Sequence, residues 1–194
     1  MQLKRFFVIA WLLLTGIAGL SAQKFGIKSN LISDAVTTPN LGIEFRMAPK
    51  WTMDISGQLN AWNIHERRWR HWMVQPEARL WLCSAFQGSF FGLHAIGGQF
   101  NIGNIDNNIN FLGSDFSKLK DHRYQGWGAG AGIAYGYAFV LGTHWNLELE
   151  LGVGWIYTRY DIYPCAVCGT VLAKDRHHNY FGPTKLALNI EYLF

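Results

Sequence analysis

Charge is scarce in this chain. Only 15% of its 194 residues are Asp, Glu, Lys or Arg, whereas 49% are hydrophobic and 15% are aromatic. Disordered chains, coiled coils and solvated helical bundles all carry more charge than this, so the composition excludes these classes. The 21 Gly and 9 Trp instead favour a β-sheet protein that faces an apolar environment.

Long apolar runs are absent beyond the N-terminus. The stretch 6–20 follows Lys4 and Arg5 and ends before Ser21 and Ala22, which is the pattern of a secretory signal peptide. The stretch is too short to span a membrane comfortably, and no Cys follows it to accept a lipid. We therefore predict cleavage after Ala22.

The predicted mature chain, residues 23–194, is a single domain by its length. Loss of the signal peptide at residues 1–22 removes two basic residues and no acidic one, so the net charge falls from +4 to +2. At so small a net charge we expect no nucleic-acid partner. No later segment has the ~18 consecutive apolar residues that a membrane helix needs.

Alternation of period two recurs along the mature chain and predicts β-strands. In residues 145–157 the odd positions are apolar, and Glu148 and Glu150 lie on the other face. The same analysis predicts eight strands, at residues 24–33, 40–47, 51–62, 69–82, 89–102, 123–141, 145–160 and 179–194.

The connections between the predicted strands alternate in length. Short turns are predicted near residues 48–50, 84–88 and 142–144, and longer loops near residues 34–39, 63–68, 103–122 and 161–178. Short turns at one rim and long loops at the other are typical of an up-and-down membrane barrel. The predicted fold is an all-β, eight-stranded antiparallel up-and-down transmembrane β-barrel with a charge-filled interior.

The two faces of the strands decide between a membrane and a soluble barrel. The apolar face carries bulky side chains such as Trp51, Trp72 and Trp155, which are too large together for one narrow interior. A soluble barrel with a charged outer face is the alternative, but the glycines of segment 126–136 favour a crowded, charged interior. Ten residues are predicted on the inner face: Lys28, Glu44, Arg46, Asp54, Glu77, Arg79, Glu148, Glu150, Lys185 and Glu191.

Aromatic residues suggest two girdles at the membrane interfaces. One group lies near the short-turn ends and the other near the long-loop ends: Trp51, Trp81, Trp145 and Tyr192, and then Trp62, Trp69, Trp127, Tyr157 and Tyr180. Tyr192 and the terminal Phe194 end an alternating apolar row, which resembles the signal that the barrel-assembly machinery reads during insertion.

Two prolines interrupt the predicted strands. Proline has no N–H to donate to a β-ladder. We therefore predict a bulge at Pro76 and a late start of the last strand at Pro183.

The sharpest local motif is the pair Cys165 and Cys168, which His177 and His178 follow. These four residues are weak candidates for zinc ligation, because paired His ligands usually stand three to five residues apart. The spacing favours a Cys165–Cys168 disulfide in a surface loop. Cys83, at the opposite end of the barrel, is predicted to stay a free, packed thiol.

The segment 65–71 places Arg67, Arg68 and Arg70 around Trp69. Such a group either binds lipopolysaccharide phosphates or forms a solvated rim, and the rim is the simpler interpretation.

No convincing catalytic group is evident in the sequence. Ser117, Asp121 and His122 share one predicted loop, but spacing within a loop does not establish a nucleophile beside its base. His94 is predicted to point inward as a hydrogen-bonded interior side chain. The sequence therefore predicts no enzyme, no cofactor and no metal.

Several runs resemble a known family. They are residues 28–35, 38–45, 71–79, 126–132, 163–169 and 179–185, and the most specific are Gln-Pro-Glu-Ala-Arg at 75–79 and Phe-Gly-Pro-Thr-Lys at 181–185. Across nearly the whole mature chain they resemble the domain of unknown function 3575 family of Bacteroidota outer-membrane proteins. The resemblance implies an outer-membrane β-barrel, often encoded near surface-fimbria genes, and it carries no established activity.

These features together predict a small non-enzymatic barrel in the bacterial outer membrane, surrounded by lipid and lipopolysaccharide. We expect it to present its long loops to a fimbrial or other envelope protein, in fimbrial biogenesis or envelope integrity. A diffusion pore is not expected, because side chains fill so narrow an interior. The alternatives are a lipid-modifying barrel enzyme and a metal-binding surface protein.

Overall fold

Ten strands and one short helix make up the computed structural model, which describes residues 23–64, 67–103, 110–111, 114–115, 122–164 and 169–194. In chain order they are β1 (Phe25–Asn30), α1 (Leu31–Ala35), β2 (Asn40–Ala48), β3 (Trp51–Ile64), β4 (Arg67–Trp81), β5 (Gly88–Gly103), β6 (Asn110–Phe111), β7 (Ser114–Asp115), β8 (Arg123–Val140), β9 (Trp145–Tyr163) and β10 (Ala173–Leu193). The predicted signal peptide lies outside the described residues. Among those described, no helix is long and apolar enough to cross a membrane.

Eight of the strands form one antiparallel sheet that closes into a ring. The order around the ring is β1-β10-β9-β8-β5-β4-β3-β2, and β6 and β7 form a separate two-stranded sheet. The first and last large strands complete the ring, with Gly26 opposite Leu193 and Asn30 opposite Asn189. The predicted all-β fold with eight antiparallel strands is confirmed, and both ends of the described chain lie on the short-turn side.

The strands reach further toward the long-loop side than the sequence predicts. Asn63 pairs with Arg68 and Ile64 with Arg67, so the long loop predicted at 63–68 is wrong. The last strand begins at Ala173 rather than at residue 179. Antiparallel pairing satisfies the backbone N–H and C=O groups of these polar segments, which local polarity alone would assign to loops.

The two faces of the closed sheet differ sharply in polarity. Large apolar side chains point outward along each strand, and six predicted on this face are 40–53% exposed: Phe45, Trp51, Trp72, Phe91, Trp145 and Trp155. Charged and amide side chains at the alternating positions point into the ring and are buried. This is the reverse of a soluble barrel, whose apolar face is the inner one.

Proline acts differently from the prediction at both positions. At Pro76 no bulge forms, because Val74 opposes Gly97 and Glu77 opposes His94 in one unbroken register. The register shift lies instead at Pro183, which opposes Val153, whereas Lys185 opposes Gly152. Thr184 is therefore the extra residue of a β-bulge inside β10, and the strand does not start late at Pro183.

An aromatic cluster closes the short-turn end of the ring. Trp81, Phe86 and Phe90 are 0–1% exposed, and the ring centroids of Trp81 and Phe90 are 4.6 Å apart. The indole Nε1 of Trp81 donates to Thr52 Oγ1 over 2.9 Å. The turn after β4 carries Phe86 inward with φ of 68°, a left-handed conformation that is costly for a bulky residue. The prediction that Trp81 belongs to an outer girdle is therefore wrong.

Candidate functional site

Charged side chains from six of the eight ring strands meet in the middle of the interior. Three are cationic and six are carboxylates: Lys28 on β1, Glu44 on β2, Asp54 on β3, Glu77 and Arg79 on β4, Glu148 and Glu150 on β9, and Lys185 and Glu191 on β10. We call these nine residues the interior network. Each belongs to the face that the period-two pattern assigns to the interior.

Arg79 is the centre of the interior network. Its guanidinium lies 2.6 Å from Glu44, 2.7 Å from Glu77, 2.7 Å from Glu150 and 3.2 Å from Glu148. One fork of donors thus joins carboxylates from three strands, a geometry that suits guanidinium and not ammonium groups.

The two lysines bind different carboxylates of those around Arg79. Lys28 Nζ contacts Glu44 and lies 3.2 Å from Asp54 and 3.3 Å from Glu148. Lys185 Nζ lies 2.7 Å from Glu77 and 3.0 Å from Glu150. Nearly every carboxylate of the network is therefore bound to a cation.

Glu191 is the exception within the network. It is fully buried, and within the described part of the chain it forms no ion pair and accepts a single 3.4 Å hydrogen bond from Asn146 Nδ2. Arg46, also predicted in this set, is only half-buried and forms no ion pair with a described residue. The network is thus more acidic than the near balance that the sequence suggests.

One group of carboxylates has the spacing of metal ligands. An oxygen from each of Glu44, Glu148 and Glu191 lies within 4.8 Å of the others. Lys28 and Arg79 already contact the first two carboxylates and place two positive charges beside the third. Repulsion from these cations disfavours a divalent ion here, so the group is better described as part of the network.

Glycine makes the room that these side chains need. A Cβ at Gly92 would lie 2.6 Å from Glu77 Cδ, and one at Gly42 would lie 2.8 Å from Lys28 Cγ. On β8, a Cβ at Gly132 would lie 2.6 Å from His94 Nε2. Part of the glycine stripe on β8 therefore faces large interior side chains, as the sequence predicts.

A polar cavity of about 240 Å³ lies on the long-loop side of the network. Its floor includes Lys28, Asp54 and Lys185, and half-exposed amides such as Asn30 and Asn40 line its outer part. Gln75 and Thr184 also line it. The Gln75 side-chain nitrogen is buried and has no hydrogen-bond partner, so a donor is available in the cavity wall.

The contact between Thr184 and His94 was not predicted from the sequence, although His94 lies in the interior as predicted. Thr184 Oγ1 lies 2.9 Å from His94 Nε2, and His94 Nδ1 lies 3.6 Å from Glu77 Oε2. The alternation assigned Thr184 to the outer face. The bulge after Pro183 reverses that assignment, and the same shift leaves Phe181 exposed on the outside. Pro183 is the sequence signal that marks this irregularity.

The other predicted residues are not brought into one site. Cys165 and Cys168 lie outside the described residues, as do Ser117 and Asp121. His177 and His178 are consecutive in β10, so their side chains point to opposite faces of the strand. Cys83 is a free thiol, but it is exposed and not packed as predicted.

The long-loop rim carries further charged residues. Arg159 and Asp175 form a bidentate pair on its exposed surface, and this hydrogen bonding lowers the pKa of Asp175. Arg123 is buried, with its guanidinium 3.9 Å from the centre of the Tyr163 ring. His65 and Glu66 of the Arg-rich segment lie outside the described residues, and Arg70 is exposed.

The C-terminal aromatic residues lie on the outer surface of the ring closure. The Phe194 ring is 5.6 Å from that of Phe25 on β1 and 4.8 Å from that of Tyr192. The Phe194 N–H donates to the Phe25 carbonyl over 2.9 Å. These contacts join the end of the chain to its first strand.

Comparison with known proteins identifies the family of this chain. Neither the curated proteins nor the solved structures contain a match to this chain. One family model matches residues 7–194, and its description is Protein of unknown function (DUF3575). The family match covers the ring, the interior network and both runs, 75–79 and 181–185, that meet beside the cavity. The chain therefore belongs to the DUF3575 family of proteins of unknown function.

Proposed function

We propose that this protein is a small outer-membrane β-barrel with a blocked interior, which presents its long-loop end to another protein of the cell envelope. The observation that carries the proposal is the reversed polarity of the closed sheet. Large apolar side chains cover the outside, and nine charged residues fill the inside.

Physical reasons connect this polarity to a membrane. In a bilayer every backbone polar group needs an internal partner, and a closed sheet provides one for each strand edge. An apolar outer band with exposed Trp side chains suits the hydrocarbon core and its interfaces, whereas in water it would promote aggregation. We further propose that residues 1–22 direct export and that the barrel-assembly machinery recognises Tyr192 and Phe194.

The blocked interior favours a presenting role over transport. Trp81, Phe86 and Phe90 close one end, and the network around Arg79 fills the middle. A role in presentation needs no transport and no chemistry. The proposed partner is a fimbrial or other envelope protein, and lipopolysaccharide is the proposed surrounding lipid. This choice of partner rests on the family resemblance of the sequence.

Membrane insertion is tested by carbonate extraction and by gel mobility before and after boiling. We expect the protein to stay in the carbonate pellet and to migrate differently once heated, because a closed, ion-paired sheet resists detergent until it unfolds. Release by carbonate together with identical mobility in both lanes would contradict the membrane assignment.

The presenting role is tested at the connection between β9 and β10. We expect the double change Cys165→Ser and Cys168→Ser to leave heat-dependent mobility intact, since a disulfide across so short a loop adds little stability. It should weaken capture of partner proteins crosslinked on intact cells. Cys83→Ser, at the other end of the ring, is the matched control and should change neither.

Mass spectrometry of the unreduced protein completes this test. We expect Cys165 and Cys168 to be oxidised to a disulfide and Cys83 to be free. Stoichiometric zinc that the wild type retains and the double variant loses would show that Cys165 and Cys168 bind a metal and do not form a disulfide.

A further inference from the structure

We propose that the interior contains an ester-cleaving site in which Thr184 is the nucleophile, His94 the base and Glu77 the residue that orients the base. Its substrates would be short-chain acyl esters of hydroxyl-rich alcohols such as sugars. This activity goes beyond the presenting role, which requires no chemistry, and either proposal can fail without the other.

The geometry is that of an activated hydroxyl. A nucleophile, a base within hydrogen-bond reach and a third group that orients the base are the parts that covalent ester cleavage requires. Thr184 Oγ1 and His94 Nε2 are 2.9 Å apart. The second ring nitrogen lies 3.6 Å from Glu77 Oε2, too far for a hydrogen bond, and has no hydrogen-bond partner among the described residues. Such contacts are often looser before a substrate binds than in the reacting complex.

A bulge in the backbone of β10 directs the Thr184 side chain inward. In a regular strand Thr184 would share the outer face with Leu186, which is 54% exposed. The bulge between Pro183 and Lys185 instead brings the Thr184 hydroxyl to the interior, where it meets His94. Bulges that redirect one side chain are enriched beside active sites.

His94 and Glu77 are held in place by their surroundings. Gly132 and Gly152 leave room for the imidazole, since a Cβ on either would come within 2.9 Å of the ring. Arg79 and Lys185 each bind the Glu77 carboxylate at 2.7 Å. An orienting group whose own position is fixed needs little rearrangement during the reaction.

The adjoining cavity determines the substrate class. Thr184 lines this space of about 240 Å³, which is smaller than the ~300–1,000 Å³ of pockets for drug-sized ligands. Amide, hydroxyl and charged side chains form most of its lining, so it suits a hydroxyl-rich alcohol and a short acyl group rather than a fatty chain. The unpartnered Gln75 Nε2 is a donor available for the developing oxyanion.

The reaction needs only the ester and water. Thr184 Oγ1 bonds to the ester carbonyl carbon while its proton passes to His94 Nε2. The bond between that carbon and the alkoxy oxygen then breaks, and His94 returns the proton to the leaving alcohol. Water next gives a proton to His94 and its oxygen bonds to the acyl carbon. The acyl–Thr184 bond breaks, the threonine hydroxyl recovers the proton, and the carboxylic acid leaves.

The first experiment measures p-nitrophenyl acetate hydrolysis by the full mature chain folded in detergent. The key variant is Thr184→Val, which keeps the side-chain shape and removes the hydroxyl, and Thr184→Ser is its matched control. We expect Val to abolish the activity, Ser to retain it, and His94→Gln to lower the rate ~10²-fold or more. p-Nitrophenyl palmitate should not react, because its chain exceeds the cavity.

Glu77 is a positioning residue and has a separate readout. Because Glu77 does not line the cavity, we expect Glu77→Gln to lower kcat while KM for p-nitrophenyl acetate stays unchanged. Heat-dependent gel mobility identifies variants that fold, and only these are compared. A rise in KM with unchanged kcat would exclude the orienting role.

The second experiment detects the covalent step directly. A fluorophosphonate probe should add to residue 184 in the wild type and in Thr184→Ser, within the tryptic peptide 177–185, and should leave the Val variant unlabelled. Equal hydrolysis by folded wild type and Thr184→Val, or the absence of an adduct from both hydroxyl-bearing forms, would show that Thr184 and His94 only fill the interior.

Discussion

The buried charges at the centre of the ring depend on one another for compensation. Each cation of the interior network is shared among several carboxylates, so the loss of one cation takes one of the two cationic partners from at least two anions. Breaking a buried pair by removing one partner costs on the order of 3–5 kcal/mol, because the remaining charge has no compensation. Glu191 lacks a cationic partner among the described residues, so it is the least costly carboxylate of the network to neutralise.

The residue-scale prediction concerns Lys185. Lys185→Met keeps much of the side-chain length and removes the ammonium that binds Glu77 and Glu150. Arg79 still binds both carboxylates, so we expect a loss of stability below the ~3–5 kcal/mol of an uncompensated buried charge. The temperature at which the folded gel band disappears measures the effect. Lys174→Met, an exposed position on the same strand, should leave that temperature unchanged. Equal temperatures for both variants would mean that the network adds no stability.

Side-chain direction was predictable wherever the alternation is regular. Glu148 and Glu150 lie inside the ring as their parity requires. Trp81 has the same parity as Glu77 and Arg79, so its inward position was also readable, although its aromatic character suggested a girdle. Thr184 was not predictable by parity, because one extra residue in a bulge reverses every assignment on one side of it.

At the scale of the element, β10 combines three functions in one strand. It closes the ring against β1, provides Lys185 to the network and ends in an aromatic row on the outer surface. The bulge at Thr184 separates its C-terminal half, which pairs with β1, from the half that extends toward the long-loop rim. An error in this strand therefore affects closure and interior together.

The element-scale prediction is that removal of Phe194 impairs assembly. Phe194 donates a backbone hydrogen bond to Phe25 and packs against Tyr192, so the variant loses contacts at the ring closure. We expect a marked fall in the heat-modifiable form in outer membranes. Phe181→Ala, which removes a more exposed aromatic from β10, is the control and should assemble normally. Normal levels after deletion of Phe194 would contradict the assembly role.

The ends of the strands were harder to predict from the sequence than the presence of the strands. The polar run around Arg67 and Arg68 resembles a loop, yet both residues pair across β3 and β4. The run 65–70 is mostly charged and has no apolar alternation, whereas the backbone ladder continues at Asn63–Arg68 and Ile64–Arg67. Composition alone cannot separate such a ladder from a loop, because backbone hydrogen bonds stabilise it whatever side chains it carries.

At the scale of the whole molecule, the interior consists of three layers along the axis of the ring. The aromatic cluster around Trp81 lies at the short-turn end, the network around Arg79 lies in the middle, and the polar cavity opens the long-loop side. The aromatic cluster and the charged network thus both block the interior of the ring. The layer that remains open faces the side on which we propose that partners bind.

The layered interior predicts that the protein does not conduct ions steadily. An ion entering from the long-loop side would have to displace Lys28 or Arg79 from its carboxylates, and beyond them it would meet the buried aromatic cluster around Trp81. Desolvation there is costly, so we expect no stable openings in planar bilayers at moderate voltage. An open porin inserted into the same bilayers is the control for detection. Steady, large conductance from the purified wild type would require a continuous water path through the network and would contradict the blocked interior on which the presenting role rests.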